Sequence, residues 1–238
     1  MDRGNFHSGT GLKTPRAAAV AGICFSILLV TIHLLIWTSI PASLGAQATA
    51  VMSHSKKISL ALNLLPFAGI AFLWFLAVVR NRLGFLEDRF FATVFMGSGF
   101  LYVAMIFTSA AIAGGLIQIM STTPEMLVQT GAYAVGRAEV YQVMNVYGIK
   151  MSGVFMFSTS TLFLKTRIVP RWIAFLGYIL GALLLLSVGI IVWIPLVFPV
   201  WVFLISAAIL LEEHGAAEMR SGPELLGSRP RSQVSRFP

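Results

Sequence analysis

The stretch WIAFLGYILGALLLLSVGIIVWIPLVFPVWVFLISAAILL, residues 172–211, holds 40 consecutive residues without a charged side chain. As one helix it would be ~60 Å long, about twice the hydrocarbon thickness of a bilayer. Pro195 and Pro199 interrupt it, because proline removes a backbone donor and clashes with the preceding turn. The stretch therefore reads as two membrane spans, about 172–192 and 196–211, joined by a tight turn.

The same reading extends toward the amino terminus. Uncharged runs cover 17–55, 58–79, 90–124 and 151–164, separated by short basic clusters. A transmembrane helix takes ~20 apolar residues, so these runs predict spans at about 17–39, 58–79, 90–119 and 143–164. The expected fold is all-α, a bundle of six transmembrane helices. Residues 1–16 form a cytoplasmic tail, 17–212 the transmembrane domain, and 213–238 a second cytoplasmic tail. That last segment is rich in Gly, Ser, Pro and Arg and reads as disordered. The mildly polar segment from Glu125 to Gln142 predicts a partly helical loop. A cleaved signal peptide ending near Ala46-Gln47-Ala48 is the competing reading of the first span. Its apolar core exceeds the ~7–15 residues of such segments, which favours a retained helix.

Composition supports the membrane assignment. The chain is 57% hydrophobic and 11% charged, with a mean hydropathy of +0.85. Soluble domains carry about 25% charged residues. A net charge of +8 is compatible with nucleic-acid binding, but the basic residues sit at span ends and in tails, with no aromatic-interleaved basic stripe. Nucleic acid is thus not an expected partner; the lipid bilayer is. With the amino terminus inside, the cytoplasmic segments hold 13 of the 17 Lys and Arg residues and the outer segments three: Lys56, Lys57 and Arg137. That asymmetry places both termini in the cytoplasm.

Lys150 is the basic residue this accounting leaves over, inside the fourth span. An ammonium at mid-bilayer costs ~2.5–3.5 kcal/mol on insertion scales, and less near the surface. Either its stem snorkels to the outer interface, or the ammonium faces a polar cavity. His33, Asn63 and Asn145 fall at a similar depth, and Glu139, Val143, Tyr147 and Lys150 follow one another at helical spacing. Lys150, Asn63, His33, Asn145 and Glu139 therefore make up a candidate outward-facing pocket for a small polar or anionic ligand.

Other chemistry is not indicated. His33 is the only histidine inside a span, where bis-histidine haem needs two, and no metal-ligand spacing occurs. Nucleophile and phosphate-loop motifs are missing, so neither an enzyme nor a cofactor is expected. Cys24 has no intrachain partner for a disulfide. Gly177 and Gly181, and the heptad Gly97, Ala104 and Ala111, are small-residue faces. They suit close helix contacts, within the bundle or between protomers of a homo-oligomer.

Several segments resemble an uncharacterised family of bacterial multi-span membrane proteins with a domain of unknown function. They include FAGIAFLW at 67–74, Val79-Arg80 to Arg82-Leu83-Gly84, and EDRFFATVF at 87–95. Pro170-Arg171-Trp172 and Phe198-Pro199-Val200-Trp201 belong with them. The resemblance implies a bacterial inner membrane and adds no catalytic residue. Two functions follow as expectations: a structural or interaction protein, or a small transporter or ligand-binding protein built around Lys150.

Overall fold

A computed structural model describes residues 14–39, 53–83, 89–123, 130–166, 169–187 and 193–221. Every regular element among them is helical. Helix α1 is Thr14–Trp37, α2 is Ser55–Leu83 and α3 is Arg89–Thr122. Helix α4, Ala132–Tyr141, runs through a π-helical segment, Gln142–Gly148, into α5, Ile149–Thr166. Helix α6 is Arg171–Leu186, and a 3-10 turn, Ile194–Leu196, opens α7, Val197–Ser221.

Four helical segments are long and apolar enough to cross a membrane: Ala19–Trp37, Ser55–Asn81, Phe90–Thr122 and Ile194–Leu211. Helix α6 is apolar but shorter. The expected spans near 17–39, 58–79, 90–119 and 196–211 thus coincide with long apolar helices. The expected 143–164 span falls on the π segment and α5. The 172–192 span is cut short, because α6 ends at Leu186 and Ser187 turns to extended geometry. The prolines do not end α6. They lie beyond it, Pro195 in the 3-10 turn and Pro199 in the first turn of α7, where a missing N–H costs little. Helix α7 also runs past Leu211 to Ser221, into the segment read as tail. The loop expected at 125–142 contains α4, which starts at Gly131 in a left-handed conformation that favours glycine (φ 69°).

The helices form a ring. Helix α1 packs on α2 and α7, α2 on α3, α3 on α5, α5 on α6, and thinner contacts join α7 to α5 and α6. Helix α4 lies against α3. At the centre five aromatic side chains from five helices meet: Phe25, Phe72, Tyr102, Phe155 and Phe198. Phe72 is the hub, with centroids 4.8 Å from Phe25, 5.5 Å from Tyr102, 5.3 Å from Phe155 and 5.6 Å from Phe198. Most of these contacts are tilted or edge-to-face, the arrangements ring quadrupoles favour.

The outer surface is apolar too. Phe67, Trp74, Phe90, Trp172, Ile179 and Trp193 are exposed. In lipid that exposure has no hydrophobic cost, so packing and hydrogen bonding hold the ring together. Trp37 and Trp193 meet edge-to-face at 4.3 Å where α1 ends and α7 begins. At the opposite end, Lys165 Nζ lies 4.8 Å above the Phe91 ring, tying the end of α5 to the start of α3.

Candidate functional site

Lys150 faces α6. Its Nζ donates to the carbonyls of Leu185 and Ser187, the latter at 2.8 Å. Helix α6 ends at Leu186, and the last carbonyls of a helix have no partner within it. Ser187 N–H donates to the Leu183 carbonyl at 2.9 Å, and Ser187 Oγ donates to that of Leu184 at 2.9 Å. Lys150 supplies the Leu185 carbonyl and the Ser187 carbonyl beyond it, and sets a positive charge on the negative end of the helix dipole.

The other candidate residues do not join it. Asn63 and Gln118 line an open cavity of about 530 Å³ between the start of α2 and the end of α3. Ser55, Lys56, Ser59 and Ser121 complete its polar lining, and Leu60, Ile117 and Met120 its apolar part. Ser121 Oγ donates to the Gln118 carbonyl at 2.7 Å. The side chains of Ser55, Lys56, Ser59, Asn63 and Gln118 make no hydrogen bond among the described residues. Beside the cavity, Ile58 and Met120 form a small buried cluster joined by Tyr133 of α4.

His33 belongs to a different cleft, shared with Tyr102, Ser152 and Phe198, whose free volume of about 10 Å³ is the size of a single water. Its Nδ1 donates to the Leu29 carbonyl at 2.8 Å, which leaves Nε2 as an acceptor. Nε2 is buried with no partner among the described residues. Asn145 lies half-buried in the π segment, and Glu139 is exposed on α4. The five candidates are therefore spread over separate surroundings: a helix cap, an open cavity, an internal cleft, a π turn and a surface.

Hydroxyls inside the ring mostly serve their own helices. Ser26 donates to the Gly22 carbonyl, Ser98 to Val94, Ser158 to Val154 and Thr159 to Phe155, at 2.6–3.0 Å. Two reach across. Thr161 Oγ1 and Tyr178 OH are 2.7 Å apart between α5 and α6. Ser109 Oγ donates to the Val140 carbonyl at 3.2 Å, next to the point where the α-helical ladder changes to π spacing.

The small-residue faces divide. A Cβ on Gly181 would stand 3.1 Å from the Gly153 carbonyl oxygen, and one on Gly153 would stand 3.0 Å from the Gly181 oxygen. Gly177 lies against Ser160 and, at 2.8 Å from an added Cβ, the Trp201 ring. These glycines seat α6 on α5 and α7. On α3, a Cβ at Gly97 would meet nothing within 4 Å, and Ala104 is exposed. Among the described residues no group of three or more His, Cys, Asp or Glu side chains is placed to hold a metal ion.

Sequence reading missed Gly153, Ser187 and the serine lining of the α2–α3 cavity. Gly153 is the lone glycine of α5, without a second at helical spacing to mark it. Ser55, Ser59 and Asn63 do share a spacing of four, which puts them on one face of α2. No family model, curated protein or solved structure matches this chain.

Proposed function

We propose that the chain is a six-crossing integral protein of the bacterial cytoplasmic membrane, with both termini cytoplasmic, acting as a non-enzymatic structural or interaction protein. One observation carries the functional half of this reading. Lys150, the basic residue that topology does not explain, has its ammonium engaged as the cap of α6. Three of the four consecutive hydroxyl residues 158–161 of α5 are engaged within their helix, Ser158, Thr159 and Thr161 donating to its carbonyls, while Ser160 Oγ is buried without a partner among the described residues. Six crossings are supported by the ring itself, in which α5 and α6 stand beside the four long apolar helices. The orientation rests on the 13-to-3 distribution of Lys and Arg.

Substitution of Lys150 separates this role from a ligand-binding one. Lys150→Met is expected to lower stability by about 2–3 kcal/mol, since it removes hydrogen bonds from a charged donor at a helix end. Unfolding of the purified protein in detergent measures this. A variant of unchanged stability that had lost response to a solute would make Lys150 a ligand group and overturn the proposal. Orientation is read by thiol labelling in a Cys24→Ser background. Ser53→Cys is expected to label from outside intact cells, and Asn81→Cys only after permeabilisation. The reverse pattern would invert the topology.

The ligand-binding alternative has an observation of its own, the open cavity lined by Asn63 and Gln118. In that reading the pocket lies between α2 and α3, away from Lys150.

A further inference from the structure

We infer that the α2–α3 cavity is a binding site for a phosphoryl-type anion, either a lipid headgroup or a free phosphate. The site rests on the membrane placement and orientation proposed above and is independent of Lys150, so it goes beyond the structural role given there. Its volume, about 530 Å³, falls within the ~300–1,000 Å³ of small-molecule sites.

The chemistry of the lining selects the ligand class. Two serines, Ser55 and Ser59, two amide residues, Asn63 and Gln118, and Lys56 all line the cavity. Among the described residues no Asp or Glu lines it. A cation would meet a positive charge and no carboxylate; an anion would meet a charged donor and four neutral ones. These donors are also available, because none makes a hydrogen bond among the described residues. Inside the ring, by contrast, Ser26, Ser98, Ser158 and Thr159 donate to their own helices.

The placement of charge agrees. Only three basic residues fall on the side of the membrane where topology does not call for them: Lys56, Lys57 and Arg137. Lys56 lines the cavity and Lys57 follows it. Arg137 stands one helical turn after Tyr133 on the same face of α4, and Tyr133 packs on the cluster beside the cavity. Of the three, Lys56 is the one in the cavity lining. Leu60 in the lining and Ile119 next to Gln118 are exposed, which gives an acyl chain an apolar surface beside the headgroup position.

Thermal unfolding of the full chain in a neutral detergent tests the assignment. Phosphatidylglycerol is titrated against phosphatidylcholine, and inorganic phosphate against chloride at equal ionic strength. Wild type is expected to be stabilised by the phosphoryl anion over its control. The half-saturating concentration should rise about fivefold in Lys56→Gln, the scale of one exposed ion pair. Asn63→Leu should weaken binding in the same direction, Lys56→Arg should restore it, and Arg171→Gln at the opposite end should leave it unchanged. Stabilisation by phosphatidylglycerol alone identifies a lipid headgroup; stabilisation by phosphate as well identifies a free-anion site. Absence of stabilisation by either, or an equal response in Lys56→Gln and Arg171→Gln, would overturn the inference.

Discussion

At the scale of single residues, the contrast between Lys150 and His33 shows what a buried polar group does in a membrane helix. Lys150 has carbonyl partners, and its removal strands them. Lys150→Gln keeps a donor without the charge and is expected to lose about half as much stability as Lys150→Met in the same unfolding measurement. His33 is the opposite case. Its Nδ1 bond goes to a carbonyl of its own helix, and Nε2 is buried without a partner among the described residues. Replacing a buried unpaired acceptor by an apolar group of similar size is close to neutral. His33→Leu should therefore melt within about 0.5 kcal/mol of wild type or above it. Sequence could mark both residues as polar inside spans, because charge and hydropathy are visible one residue at a time. It could not pair Lys150 with Leu185 and Ser187, since no local pattern links residues so far apart. The direction a side chain points was not legible.

At the scale of elements, the spans follow from hydropathy, but their ends follow from hydrogen-bond satisfaction. Helix α6 ends at Leu186 ahead of either proline, with the Leu183, Leu184 and Leu185 carbonyls taken up by Ser187 and Lys150. Pro66 makes the complementary point, standing inside α2 without ending it. Small residues show the same limit. The spacing of Gly177 and Gly181 suggests close contact, and Gly153 lies opposite Gly181 on the facing helix. The equally regular Gly97 and Ala104 pair faces outward. Gly181→Leu is expected to cost about 3 kcal/mol or more through overpacking against Phe157 and the Gly153 backbone. Gly97→Leu should change the stability of the monomer by less than about 0.5 kcal/mol. Chemical unfolding of the two variants in parallel checks this, and equal losses would show that α3 packs differently.

At the scale of the whole molecule, aromatic packing at the centre replaces the hydrophobic drive that a soluble protein would use. Phe72→Ala should cost about 3–5 kcal/mol, since it opens a cavity among five helices at once. Phe67→Ala, on the exposed face of the same helix, should cost less than about 0.5 kcal/mol. Hydropathy cannot tell Phe67 from Phe72, because inner and outer faces of a membrane helix are both apolar. That is why the all-helical membrane character was readable from composition and the core was not. The closure of the ring by its first and last helices also has a consequence for how the chain is made. Helix α1 emerges first, but the surface that receives α7, including Gly22 against Ser206 and Phe25 against Phe198, has no partner until the last span leaves the ribosome. At ~5–20 residues per second that interval is on the order of ten to thirty seconds. Through it α1 must stay inserted with one flank in lipid. Ser26, already bonded to the Gly22 carbonyl, lets that flank wait without an unsatisfied donor.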